Sequence, residues 1–94
     1  MNKIIKQVLG VDVAQKELVV TIGRMHNDWS PELYAHQVFA NTHKGFSSLM
    51  AWVKKNTEAS VPVIFVMEAT GVYHESFAYF LDERSQQVCI VLPN

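Results

Sequence analysis

The pattern of this 94-residue chain predicts an α/β fold: strand, strand, strand, helix, strand, helix, strand, forming a mixed five-stranded sheet with helices on both faces. Three features of the pattern give that order. Residues 6–13 and 17–23 read as two strands separated only by Ala14-Gln15-Lys16, the second alternating Leu18, Val20 and Ile22 with Glu17, Val19 and Thr21 at the strand period, so together they form a hairpin. Phe46, Leu49, Met50 and Val53 recur at helical spacing. The run 61–67 is apolar throughout, as in a parallel strand covered on two sides.

The remaining elements follow in order. His26-Asn27-Asp28-Trp29-Ser30-Pro31 is polar and turn-rich, and links the hairpin to a third strand over 33–40. Asn41 or Thr42 can cap the first helix, which Lys54, Lys55 and Asn56 close. After the apolar strand, Thr70-Gly71 opens a second helix with Tyr73, Phe77, Phe80 and Leu81 on one face and Asp82-Glu83-Arg84 at its solvated end. A fifth strand covers 88–92, and Pro93 ends it. With no repeat and no internal boundary, 1–94 reads as a single domain.

Composition excludes several classes. An apolar fraction of 49% with 18% charged residues is that of a folded globular chain. The one cysteine, Cys89, excludes an internal disulfide framework, fits a reducing cytoplasm, and is expected to be buried as a small hydrophobe. No apolar run reaches the ~20 residues of a membrane span, and Lys6, Gln7 and Asp12 break the opening residues below signal-peptide length. A net charge of -1 lacks the footprint of a chain that grips nucleic acid unaided.

Two acids stand out against this background. Asp12 interrupts Val8-Leu9-Gly10-Val11-Asp12-Val13, and Glu68 closes the strand Val61 to Met67. A buried, unpaired charge costs several kcal/mol, so each needs a compensating partner. If the first and fourth strands are parallel neighbours, both acids reach the carboxyl edge of the sheet, where open α/β folds place their sites. Two carboxylates ~4 to 5 Å apart would repel by roughly 3 to 4 kcal/mol at an effective dielectric near 20. A divalent cation removes that repulsion. Mg²⁺ (or Mn²⁺) suits such a pair because it accepts one or two protein oxygens and fills its shell with water and phosphate.

These residues also carry a family resemblance. Val8-Leu9-Gly10-Val11-Asp12-Val13-Ala14 before a hairpin, Met67-Glu68-Ala69-Thr70-Gly71-Val72-Tyr73 before a helix, and Val91-Leu92-Pro93-Asn94 at the end resemble the start of the DEDD insertion-sequence transposases of the one-ten group. The resemblance implies a RuvC-like domain of ribonuclease H fold and DNA strand cleavage and transfer as the activity of the whole enzyme. It implies that Asp12 and Glu68 are catalytic, as the first two metal ligands of a four-acid set. The other two acids of that set lie in a helix beyond the fifth strand; Asp28 and Asp82 do not match them. The expected partners of the full enzyme are DNA, a structured guide RNA and further copies of the protein, in a bacterial cytoplasm with no membrane. The chain itself is expected to be an amino-terminal part that does not cut DNA alone.

Each residue also has a plainer reading. Asp12 could bond turn amides, and Glu68 could favour the dipole of the following helix. Thr70 fits a helix cap, and Gly71 either a turn or a close approach to phosphate; both are weak nucleic-acid contacts. His74 and Glu75 follow the site closely and read as surface residues or as support for it. His26, His36 and His43 share no zinc spacing. Trp52 suits the core, while Trp29 is a weak candidate for base stacking. Lys44, Lys54 and Lys55 fit a solvated helix face. Two alternative functions stay open: a non-catalytic dimerisation or docking module of the same fold, and an actin- or sugar-kinase-like ATPase fragment. The second is disfavoured because Ala14-Gln15-Lys16 lacks the glycine and hydroxyl residues of a phosphate loop.

Overall fold

The computed structural model describes residues 3–69 and 71–92. The chain forms β1 (Ile4–Val13), β2 (Glu17–His26), β3 (Pro31–Ala40), α1 (His43–Asn56), β4 (Val63–Glu68), α2 (Glu75–Glu83) and β5 (Gln87–Val91). The five strands make one sheet in the order β3-β2-β1-β4-β5. β1 pairs antiparallel with β2 and parallel with β4, and β5 extends the parallel half. The expected mixed sheet and element order are therefore present.

Side-chain alternation builds one core. Leu9 and Val11 of β1, Leu18, Val20 and Ile22 of β2, and Phe65 and Met67 of β4 are buried on one face of the sheet. Against them pack Phe46, Leu49 and Val53 of α1 and Phe77, Phe80 and Leu81 of α2. Each such side chain removed from water contributes about 1.5–3 kcal/mol.

The Phe46 ring lies 5.0 Å from Phe77 and 5.3 Å from Phe80, so the two helices touch and share a face. This corrects the expectation of helices on both faces. On the other face, Ile64 and Val66 of β4 are only half-buried, so the apolar character of both sides of that strand did not mean two-sided cover.

The helix ends explain where sequence expectation and structure part. Thr42 caps α1 by accepting a hydrogen bond from the Gly45 amide at 3.1 Å, and Lys54 and Lys55 in the last turn complement the dipole. Thr42→Ala should lower stability by about 1 kcal/mol in a denaturant titration. The second helix begins at Glu75, not at Thr70-Gly71. Gly71 has φ +71°, a left-handed conformation that interrupts a right-handed helix. Tyr73, expected on the buried helix face, is consequently an exposed turn residue. Thr70, Pro93 and Asn94 lie outside the described residues.

Two further contacts lock the scaffold. Gln7 is 1% exposed; its side-chain amide donates to the carbonyls of Glu58 (3.0 Å) and Val61 (2.8 Å) and its oxygen accepts from the Glu58 amide (2.6 Å). It thereby fixes the α1–β4 loop to the first strand. Gly45, in the first turn of α1, lies directly on the backbone of Ala40.

Cys89 corrects another expectation. It is exposed, because β5 is an edge strand and the cysteine sits on its uncovered face.

Candidate functional site

Parallel pairing of β1 with β4 brings the two acids together. The register runs Leu9 with Phe65, Gly10 with Val66 and Val11 with Met67. One step further, Asp12 stands beside Glu68 at the carboxyl ends of both strands. Adjacent strands are about 4.8 Å apart, and residues at one register position project from the same face. Leu9, Val11, Phe65 and Met67 face the core, so Asp12 and Glu68 project from the uncovered side. Both line one cleft with Gly10, Val19, Thr21, Val66 and Val91.

Both carboxylates are exposed at this rim. The expectation that each is a buried charge in need of rescue is therefore corrected: strand alternation turns them to water where the apolar run ends. Their mutual repulsion falls accordingly, toward the high-dielectric limit of about 1 kcal/mol at this separation. What remains is placement, with two acids more than fifty residues apart in sequence meeting on one open surface.

The floor of the cleft is low. Gly10 carries no side chain, and an added Cβ there would meet nothing closer than the Thr21 carbonyl at 3.9 Å. The Thr21 hydroxyl lies 3.2 Å from Nδ1 of His36 on the next strand, leaving a polar, shallow approach to the acids.

Asn41, weighed from sequence only as a helix cap, has a different task. Its side-chain amide donates to the Ala14 carbonyl at 2.9 Å and to the Tyr73 carbonyl at 3.0 Å. These carbonyls belong to the loops that follow Asp12 and Glu68, so one side chain ties both rims of the cleft. Nothing in the periodicity marks it, since its partners are distant backbone atoms. Asn41→Ala should cost about 1 kcal/mol in thermal unfolding and speed amide exchange at Ala14 and Tyr73.

The remaining candidates separate from the cleft. His74 and Glu75 line a groove between α2 and β5 on the helix-covered side, with Tyr79, Asp82 and Ile90, and so do not support the acids. Trp52 packs against the core with its ring 5.5 Å from Phe39, while Trp29 is 70% exposed in the β2–β3 turn. Asp28 accepts hydrogen bonds from the Ser30 hydroxyl and amide, which hold its carboxyl below the usual range. Lys44, Lys54 and Lys55 are exposed on α1. Among the described residues, no group of three or more His, Cys, Asp or Glu side chains gathers as a ready metal cage, and no helix is long and apolar enough to cross a membrane.

A mixed five-stranded sheet in the order 3-2-1-4-5 with two helices is the arrangement of a ribonuclease H-like fold. The fold is shared with the fowlpox virus Holliday junction resolvase (TM-score 0.62, 16% identity, 93% of this chain and 61% of that one). It is also shared with RuvC of T. thermophilus (TM-score 0.58, 11% identity, 93% and 66%). An Aquifex aeolicus member of the Ppx/GppA family has the same arrangement (TM-score 0.54, 13% identity, 94% and 35%), so the fold alone does not select an activity.

The family does narrow it. Residues 9–94 match the profile of the IS110-type DEDD transposases, and the chain belongs to that transposase family. The pilin gene-inverting protein of Moraxella bovis is 27% identical over 88 residues, which are 94% of this chain and 26% of that protein. The chain thus spans about a quarter of the length of that curated relative.

Proposed function

We propose that this chain supplies the first half of the metal centre of a DNA transposase, with Asp12 and Glu68 as catalytic ligands of Mg²⁺ or Mn²⁺ at the scissile phosphodiester. One observation supports the reading above all: parallel register sets both carboxylates side by side at the carboxyl edge, on the face the helices leave open. The donor set fits a hard cation, which accepts two carboxylate oxygens and completes its shell with water and phosphate. When bound, a pair of such ions would activate the attacking oxygen and stabilise the leaving one. This chain's own residues hold the cation and offer the low floor of Gly10 and Thr21 to a phosphate backbone. Thr70 and Gly71, two and three residues after Glu68, are assigned weak contacts to the same backbone.

Two acids are half of a four-acid centre, so DNA cleavage and transfer belong to a longer protein. There the chain works with DNA, a structured guide RNA and further copies of itself; alone it binds metal without cutting. A site of millimolar affinity, at a free Mg²⁺ concentration ten times its Kd, stabilises the folded state by about 1.4 kcal/mol, a Tm rise of roughly 5–10 °C. Asp12→Asn should abolish that rise while leaving the metal-free protein equally or slightly more stable, because it relieves a solvent-screened repulsion. Loss of metal-free stability in Asp12→Asn would show instead that the carboxylate accepts structural hydrogen bonds.

A further inference from the structure

We propose, resting on the metal assignment of Asp12 and Glu68 above, that Asn41 is the positioning residue of the acid pair: by bridging the two loops beyond the acids it sets how tightly the pair holds a divalent cation. The strand registers leave a gap that such a bridge closes. β1 and β4 pair from Gln7 with Val63 to Val11 with Met67, and both acids lie one residue past the last pair. There each strand end is tied only outward: Asp12 pairs with Val19 of β2, and Glu68 with Val91 of β5. The Ala69 amide continues in that direction, donating to the Val91 carbonyl at 2.9 Å. The two acid-bearing ends thus belong to different halves of a sheet whose twist tends to splay them. Among the described residues, the Asn41 side chain is the one hydrogen-bonded link between the loops that follow, through Nδ2 to the Ala14 carbonyl at 2.9 Å and to the Tyr73 carbonyl at 3.0 Å.

Asn41 is itself held in place. It follows Ala40, which pairs with Glu17, and its main-chain amide donates to the Lys16 carbonyl at 2.9 Å. Its stem is therefore fixed to the β1–β2 loop while its side chain reaches across to the β4–α2 loop. A primary amide suits the task, because it carries two donor protons on one nitrogen and can face one carbonyl on each side. A cation shared by two carboxylates needs both at coordination distance at once, and magnesium tolerates little error in that geometry. Loops free to drift apart must be drawn together as the ion binds, which subtracts from affinity. Losing the outer support of metal ligands weakens metal binding by about 10–100-fold, and Asn41, which acts through loops and not on the carboxylates themselves, belongs at the lower end of that range.

The test is calorimetric titration of Mn²⁺ into the folded 94-residue chain, well below its Tm. Asn41→Ala is expected to raise Kd about tenfold. Asn41→Ser, whose single hydroxyl proton serves only one of the two carbonyls, should raise it as well. Thr42→Ala is the control: it removes the adjacent helix cap and lowers Tm, but leaves the bridge intact, so its Kd should equal that of the wild type. A wild-type Kd in both Asn41 variants would overturn the proposal, and so would an equal weakening in Thr42→Ala, which would reduce the effect to general stability. A wild type that binds no Mn²⁺ would overturn the metal reading itself, and this assignment with it.

Discussion

Gly45→Ala should lower stability by about 3 kcal/mol, enough to drop Tm by roughly 12–24 °C in a domain of this size. The cause is steric. A Cβ at this position would overlap the carbonyl of Ala40, and the obstacle is backbone on one side and the first turn of a helix on the other. Neither can swing away as a side chain would. The helix must lift from the end of β3, and Phe46 and Leu49 would lose part of their packing with it. Gly10→Ala is the matched control: its new methyl would meet only ordinary contact, so its cost should stay below about 0.5 kcal/mol. Thermal unfolding of both variants should separate them clearly. Equal losses would mean that Gly45 is retained for some reason other than close approach.

Gln7→Ala is expected to cost about 2–4 kcal/mol, measured by denaturant titration. The wild-type side chain is buried and uses both ends, donating to two carbonyls and accepting from one amide of the α1–β4 loop. Alanine leaves those three backbone groups without their partner, and each buried orphan carries a desolvation penalty. It also opens space beneath β1, adding a cavity term. Gln7→Leu refills that space without restoring the hydrogen bonds, so it should recover only part of the loss. Full recovery by leucine would show that volume, not hydrogen bonding, is what Gln7 supplies.

Neither residue is visible in the sequence as important, and the reason is physical. Periodicity reports which face of an element is buried, and it placed the strands, both helices and the core phenylalanines with only boundary errors. Gln7, Gly45 and Asn41 act through distant backbone atoms, and nothing local in the chain marks such partners. Apolar spacing continues through Tyr73 and so predicts a second helix that starts several residues early, while the left-handed turn at Gly71 is a single-residue property. An apolar strand does not say which of its faces is packed, so neither the open side of β4 nor the exposure of Cys89 is legible in the sequence. For the candidate site, the two acids and their convergence were legible from strand order. Their solvent exposure was not, because it depends on strand parity at the last residue of each run.

Binding of one divalent cation by Asp12 and Glu68 together is tested most directly by paramagnetic broadening with Mn²⁺ in ¹H–¹⁵N spectra of the chain. The expected result is selective loss of the amide signals around Asp12 and Glu68 at substoichiometric Mn²⁺, reversed by excess Mg²⁺ and absent in both Asp12→Asn and Glu68→Gln. Broadening centred instead on Glu75 and Asp82 in the α2–β5 groove, or broadening around Asp12 that survives loss of Glu68, would contradict the shared site.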